Sequence, residues 1–286
     1  MAGVQLDSDQ IVALNKLKSG CILNGDTGSG KSRVSLAYYY KLYGGQLNTN
    51  TYIRMIQPCD LYIITTAKKR DDLEWESELI HFYMSTDPNL NIYHNKIVVD
   101  SWNNITKYKD VKHSFFIFDE QRLVGSGVWV KTFYQIAKWN RWILLTATPG
   151  DTWSDYVPVF VANGFFKNKS DFDRQHAIYS RYVNFPRIDR YINEGPLIKY
   201  RNQILIYMEF KRKTIQHHEI VICEYDRYNY EYIDYTSPTV LYLNGKLDRK
   251  YAIKSGTTDN DYWIVGYNND VTMLVWAGND DNSDVN

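Results

Sequence analysis

The 286-residue chain is short of several things that would otherwise set its class. It has no apolar run approaching the roughly 18 residues of a membrane-spanning helix. Its first ten residues, "MAGVQLDSDQ", carry no basic region leading into an apolar stretch, so they do not read as a signal peptide. Only three cysteines are present, Cys21, Cys59 and Cys223. They are odd in number and far apart, which excludes a disulfide framework or a cysteine metal knuckle and favours a reducing interior. Charge of one sign is missing too: 33 basic residues balance 33 acidic ones, so no net field draws the chain to nucleic acid and any such site must be a local patch. Neither an internal repeat nor a low-complexity tract occurs. The expectation is a soluble, intracellular, cytoplasmic protein.

What is present supports a packed core. Hydrophobic residues make up 44% of the chain, too many for disorder. The 25 tyrosines suit half-buried strand and surface positions. Residues 7–19 predict a helix, with Asp7 and Gln10 forming a capping box, Ile11, Leu14 and Leu17 on one face and Gly20 as its stop. The short run "GCILNG" predicts a buried strand, and "KSRVSLAYYYKLY" a helix that stops at Gly44-Gly45. Apolar runs at 61–66, 96–99, 115–118 and 142–146 predict further strands, with helical or mixed segments, among them "DDLEWESELIHFYM" and "VKTFYQIAKWN", between them. Near-continuous apolar strands alternating with helices predict an α/β fold with a mostly parallel sheet covered on both faces. Ligands of such sheets bind at the carboxyl ends of the strands. Beyond about 151 the pattern loosens into short helices, and "QILIYMEF" and "HHEIVICEYD" predict later strands that extend the sheet. From 236 the texture changes again. "TVLYLNGKLDRKYAI" predicts a β-hairpin on an Asn-Gly turn, "DYWIVGYNNDVTMLVWA" a second one around Asn268-Asn269-Asp270, and "GNDDNSDVN" an acidic tail. The expected division is therefore 1–235 and 236–286.

Three motifs stand at strand ends. "GDTGSGKS", residues 25–32, satisfies G-x-x-x-x-G-K-[ST] between a buried strand and a helix. Its backbone from Gly25 through Thr27, Gly28, Ser29 and Gly30 can turn successive amides toward phosphate, with the helix amino end behind them. Lys31 is placed to reach the β- and γ-phosphates of ATP, and Ser32 to ligate Mg²⁺. "FFIFDEQR" puts Asp119 and Glu120 directly after a buried strand. Asp119 would hold Mg²⁺ and Glu120 would orient or deprotonate the attacking water. "LLTATPG" places Thr146 and Thr148 where a strand ends and Pro149 forces a turn; hydroxyls there can bond the acidic turn and sense the γ-phosphate. Arg122 either couples the acidic turn to a neighbour or makes a local salt bridge. Gln10 is either the reader of adenine or simply the N3 partner of the helix cap. His217-His218 lack a carboxylate or cysteine set for a metal.

The order phosphate loop, acidic pair, T-A-T-P resembles the first RecA-like motor domain of superfamily 2 helicases and translocases. On that resemblance "GDTGSGKS" corresponds to motif I, "DEQR" to motif II and "TATP" to motif III, while "TTAKKR" at 65–70 and "DSWNNITKY" at 100–108 fall where motifs Ia and Ib lie. The stretch "TATPGDTWSDYVPVFVANGFFKNKSDF", followed by "GPLIKYRNQ", is similar in particular to Snf2-like DEAD/DEAH-box helicases of bacterial viruses, over roughly residues 5–232. The resemblance implies an ATP- and Mg²⁺-dependent hydrolase acting on nucleic acid, with duplex DNA favoured, in the host cytoplasm if the source is viral. It also implies that Thr65, Lys68, Lys69 and Ser101 touch a strand backbone, with Trp102 either there or buried; for Thr65, Lys68 and Lys69 a solvated basic turn is the alternative.

One part of the family pattern is missing. Motors of this kind use a second RecA-like domain, whose arginine is worth roughly 10³ to 10⁵ in rate. About 54 residues follow position 232, against the roughly 100–150 typical of a domain. No Q-x-x-G-R-x-x-R-like stretch is present. A truncated motor, a split motor whose partner chain brings the second domain, and a degenerate member all fit, as does a nucleotide-gated adaptor that binds nucleic acid or protein without translocating.

Overall fold

The computed structural model describes residues 2–120, 123, 125–181 and 186–209, together with the backbone of 252–257, 261–267 and 272–278. The chain divides into two compact units, Met1–Lys213 and Thr214–Asn286.

In the first unit, α1 (Ser8–Lys16) opens on the predicted capping box: the Asp7 carboxylate accepts from the Gln10 amide at 2.8 Å, and the Asp7 amide donates to Gln10 Oε1 at 3.2 Å. Then follow β1 (Ile22–Asn24), α2 (Lys31–Leu42), β2 (Leu61–Thr65), α3 (Ala67–Asp71), α4 (Glu74–Ile80) and β3 (Ile97–Ser101). A 3₁₀ segment, Trp102–Tyr108, leads to β4 (Phe115–Asp119), α5 (Val128–Trp139), β5 (Arg141–Thr146), α6 (Trp153–Ala162) and α7 (Lys169–His176). A short antiparallel pair, β6 (Ala177–Tyr179) and β7 (Ile188–Tyr191), precedes α8 (Glu194–Ile204) and β8 (Leu205–Tyr207).

Six strands form one parallel sheet in the order β3-β2-β4-β5-β1-β8. The apolar runs split by pleat. Phe115 and Ile117 of β4, with Ile143 and Leu145 of β5, pack on one face under α1, α2 and α4. Phe116 and Phe118, with Trp142 and Leu144, pack on the other under α5, α6 and α8. A strand buried on both faces needs no polar alternation, which is why these segments read as continuous apolar runs. The expected α/β architecture is thus present, with the carboxyl ends of β1, β5 and β4 side by side.

Two of the tyrosines depart from the expected strand and surface use. Tyr39 and Tyr40 are fully buried in helix α2 rather than half-buried on strands. Their hydroxyls donate to the carbonyls of Cys59 and Ile53, in the segment that crosses over α2. A tyrosine buries its ring freely once its hydroxyl finds a carbonyl. Of "DDLEWESELIHFYM" only Glu74–Ile80 forms a helix, α4: Asp71 ends α3, and Leu73, with φ 56°, separates the two.

In the second unit, β9 (Ala252–Thr257), β10 (Asp261–Tyr267) and β11 (Thr272–Gly278) form an antiparallel meander. β10 and β11 pair from Asp261–Gly278 to Tyr267–Thr272, as the second predicted hairpin requires; Asn268-Asn269-Asp270 lie outside the described residues. The described partner of β9 is β10. Most of the first predicted hairpin, the "HHEIVICEYD" strand with His217-His218, Arg122 and the acidic tail lie outside the described residues.

Candidate nucleotide-binding site

β1 ends at Asn24 and the chain turns at once through Gly25. A Cβ at Gly25 would stand 2.8 Å from Ser29 Oγ and 3.3 Å from Met208 Cβ, so a larger residue there would have to push both aside. Thr27 and Gly28 lie at the exposed crest of the loop. Gly30 has φ 83° and caps α2 without a side-chain bond; an L side chain there would be strained and would meet Gln10 Nε2 at 2.5 Å. The first amides of α2 are therefore left without a side-chain acceptor. Lys31 Nζ folds over the loop and donates to the carbonyls of Gly25 at 2.6 Å and Asp26 at 2.8 Å. Burial pushes its pKa below the ordinary lysine value, against the opposing charges of Asp119 and Glu120. Ser32 follows in the first turn of α2, partly exposed.

Gln10 does two jobs at once. Its Oε1 completes the α1 cap while Nε2 lies 3.5 Å from the Ser29 carbonyl. The cap reading holds, and the same side chain touches the phosphate loop.

Main-chain bonds join the three motifs. The Gly25 amide donates to the Thr146 carbonyl at 3.3 Å, and the Glu120 amide to the Leu145 carbonyl at 3.1 Å. Asn24 Nδ2 donates to the Ala147 carbonyl at 3.3 Å. The end of β5 thus lies between the loop and the acids and bonds to both. The expected route, through the threonine hydroxyls, differs: Thr146 Oγ1 is spent within its own turn, donating to the Thr148 carbonyl and accepting from the Thr148 amide, each at 3.1 Å. A hydroxyl two residues before a free amide closes locally before it reaches a neighbouring strand. Thr148 itself is exposed.

Asp119 is buried, 1% exposed. Its Oδ2 accepts from Thr65 Oγ1 at 2.9 Å, Lys69 Nζ at 3.1 Å and Trp75 Nε1 at 3.1 Å, and its carbonyl accepts from Trp102 Nε1 at 2.9 Å. Lys69 also meets Glu120 Oε1 at 2.7 Å. Burial works against the Lys69 charge, but Asp119 and Glu120 outweigh it and raise its pKa. Glu120 holds φ 55°, a left-handed conformation unfavourable for a non-glycine residue. That turn leaves its carboxylate half-exposed beside the buried aspartate.

Of the residues expected to touch a nucleic-acid backbone, Thr65, Lys69 and Ser101 have their side chains engaged within the protein. Thr65 is fully buried on Asp119, and Lys69 faces both acids. The cause is strand order: β2 neighbours β4, with Ile64 opposite Phe118, so the turn after β2 faces the acidic turn. Ser101 is buried, its hydroxyl 3.4 Å from Arg70 Nη1, and Trp102 is buried as the alternative reading had it. Lys68 alone of the four is exposed. The sequence reading missed Trp75, a donor to the Asp119 carboxylate; its one signal was a tryptophan amid the polar run "DDLEWESEL".

Asp100 ties these two segments together. Burial opposes its charge, yet bonds from Asn104, Tyr108, the Ser101 amide and Arg70 hold its pKa below the ordinary value. A depressed carboxylate adds stability that is complete above its unfolded pKa, about 3.9, and is lost as pH falls through the lower folded value. Asp100→Asn is expected to lower stability at pH 7 and to flatten its acid dependence below about pH 4, measured by urea unfolding at several pH values; parallel wild-type and variant curves would contradict this.

The residues fit a magnesium polyphosphate. Ser29 Oγ is buried in the loop without a hydrogen-bond partner, uncapped amides and the Lys31 ammonium stand beside it, and an acidic pair faces them across the end of β5. Ser29 to Ser32 and the loop amides would hold the phosphates, and Ser32 with Asp119 the metal. Among the described residues no cluster of three or more histidine, cysteine or acidic side chains forms a metal site of its own, and no helix is long and apolar enough to cross a membrane.

No protein-family model matches the chain. Over 51 residues it is 45% identical to penicillin-binding protein 2D of Bacillus subtilis, which is 18% of this chain and 7% of that protein. Among solved structures it is similar to the Hef helicase domain of Pyrococcus furiosus, with a TM-score of 0.38 and 17% identity over 60% of this chain and 40% of that one. The chain thus spans less than half of either. One further sequence signal was passed over: β9 carries Lys254-Ser255-Gly256-Thr257, close to the K-T-G run of penicillin-binding proteins, while the S-x-x-K nucleophile pattern of those proteins occurs nowhere in the 286 residues.

Proposed function

We propose that the first unit is the ATP-binding, nucleic-acid-dependent ATPase domain of a helicase-like motor acting on DNA. The observation that supports this most is the juxtaposition of phosphate loop, T-A-T-P turn and acidic pair on three adjacent strand ends, joined by the Gly25–Thr146 and Glu120–Leu145 main-chain bonds. Bound Mg²⁺ would neutralise charge on the β- and γ-phosphates. Lys31 exchanges its loop carbonyls for phosphate oxygens. Asp119 is oriented by its three donors. Glu120, exposed at the turn, orients the attacking water and accepts its proton. A shift of the loop on phosphate binding passes to the acids through the end of β5. Lys68 remains as the contact to a nucleic-acid backbone, and a partner chain or a further domain would supply the arginine.

The test is phosphate release by this chain alone, with and without duplex DNA, single strands and RNA. The expected result is Mg²⁺-dependent ATP binding with slow turnover and no strand separation. Robust nucleic-acid-stimulated turnover by the isolated chain would overturn the need for a second domain.

A further inference from the structure

The amino ends of the strands carry a second feature that the nucleotide site leaves unexplained. Where β4 and β5 begin, a groove of about 470 Å³ is lined by Tyr43, Cys59, His113, Lys138, Trp139 and Arg141, with no carboxylate in its lining. Trp139, the last residue of α5, is 49% exposed. Lys112 Nζ and Lys138 Nζ stand 5.0 Å and 5.2 Å from its ring centroid. Arg141 is exposed at the first position of β5. Among the described residues none of Lys112, Lys138 and Arg141 is in an ion pair. Asp60, beside Cys59, is engaged by the Lys96 amide at 2.9 Å.

The platform is firmly built. The His113 amide donates to the Trp139 carbonyl and the Arg141 amide to the Ser114 carbonyl, both at 3.1 Å. Asn140 bonds to the Val111 and Ile136 carbonyls and accepts from the Ser114 amide. The six-residue β5, from Arg141 at the groove to Thr146 beside the phosphate loop, separates the two by roughly 16 Å.

We infer that this groove is a second, ATP-independent binding surface for single-stranded nucleic acid, with a base packed on Trp139 and the flanking phosphates on Lys112, Lys138 and Arg141. An exposed indole with unpaired cations around it is the combination that unstacked bases and their backbone satisfy together. Exposed cation–π contacts are weaker than base–indole stacking, so a base displaces an ammonium from the ring and that ammonium turns to phosphate. A duplex offers no free base face, and an acidic peptide offers charge without the stacking partner. The surface does not depend on the chain hydrolysing ATP.

The test is fluorescence anisotropy of labelled oligo-dT with the full chain, without nucleotide, across a range of salt. Trp139→Ala is expected to weaken binding about 5- to 140-fold, which is about 1–3 kcal/mol at 1.4 kcal/mol per tenfold, while Trp139→Phe retains most of the affinity. The Lys112→Glu/Lys138→Glu pair is expected to flatten the slope of log K against log salt by about 1.4, or about 0.7 per phosphate contact. These side chains lie on the surface, so thermal melts of the variants should match wild type. Four results would overturn the inference: no oligo-dT binding by wild type; wild-type affinity in Trp139→Ala; a loss confined to Lys68→Glu, which would put the strand at the nucleotide end; or displacement by duplex or polyglutamate as effective as by single strands.

Discussion

Replacing Asp119 with alanine is expected to destabilise the protein by about 3–5 kcal/mol, the scale for removing one partner of a buried charge pair. The carboxylate lies at the centre of a network in which Thr65, Lys69 and Trp75 all donate to one oxygen. Its loss leaves a buried indole N–H and a buried hydroxyl without their acceptor, and each such orphan costs about 1–3 kcal/mol. Lys69 keeps Glu120, so the loss falls short of the sum. The same substitution removes the proposed metal ligand, so Mg²⁺-dependent nucleotide binding should vanish with it. Asp119→Asn separates the two effects: it keeps the volume and one acceptor oxygen, and should recover part of the stability while binding Mg²⁺ nucleotide poorly. Urea midpoints together with nucleotide titrations check this; a variant as stable as wild type would contradict the role assigned to the network.

Glu120→Gln should show the reverse pattern. The side chain is half-exposed, so stability should change by less than about 1 kcal/mol. Glutamine keeps the size and one acceptor but cannot take up a proton, and positioned general bases contribute about 10²- to 10⁴-fold in rate. Turnover at saturating ATP is expected to fall by that factor while ATP affinity is retained. The left-handed backbone at Glu120 supports the assignment, because strain at a strand end persists where the surroundings enforce it and gathers at functional sites. An unchanged rate of phosphate release would remove Glu120 from the chemistry.

Much of this was legible in the residues. The continuous apolar runs named β2, β4 and β5, because strands buried on both faces need no alternation. The phosphate loop, the acidic pair and the Asp7–Gln10 cap follow from local rules, and local rules act over a few residues. What sequence could not show was strand order. That β2 lies beside β4, and β5 between β4 and β1, is a tertiary fact. It turns Thr65 and Lys69 toward Asp119 instead of outward, brings Trp75 onto the same oxygen, and makes the β5 backbone, rather than the Thr146 hydroxyl, the link between loop and acids. The full burial of Tyr39 and Tyr40 depends in the same way on the segment that crosses α2, which no helix pattern announces.

The central claim is that the loop at 25–32 holds a triphosphate. It is tested most directly by calorimetric titration of Mg²⁺·ATP into the slow-turnover variant Glu120→Gln, with and without Lys31→Ala. One saturable site is expected, weakened about 10- to 150-fold by Lys31→Ala, as suits loss of a charge-assisted bond worth about 1.5–3 kcal/mol. Equal affinity in the two proteins, or no saturable binding in either, would contradict it.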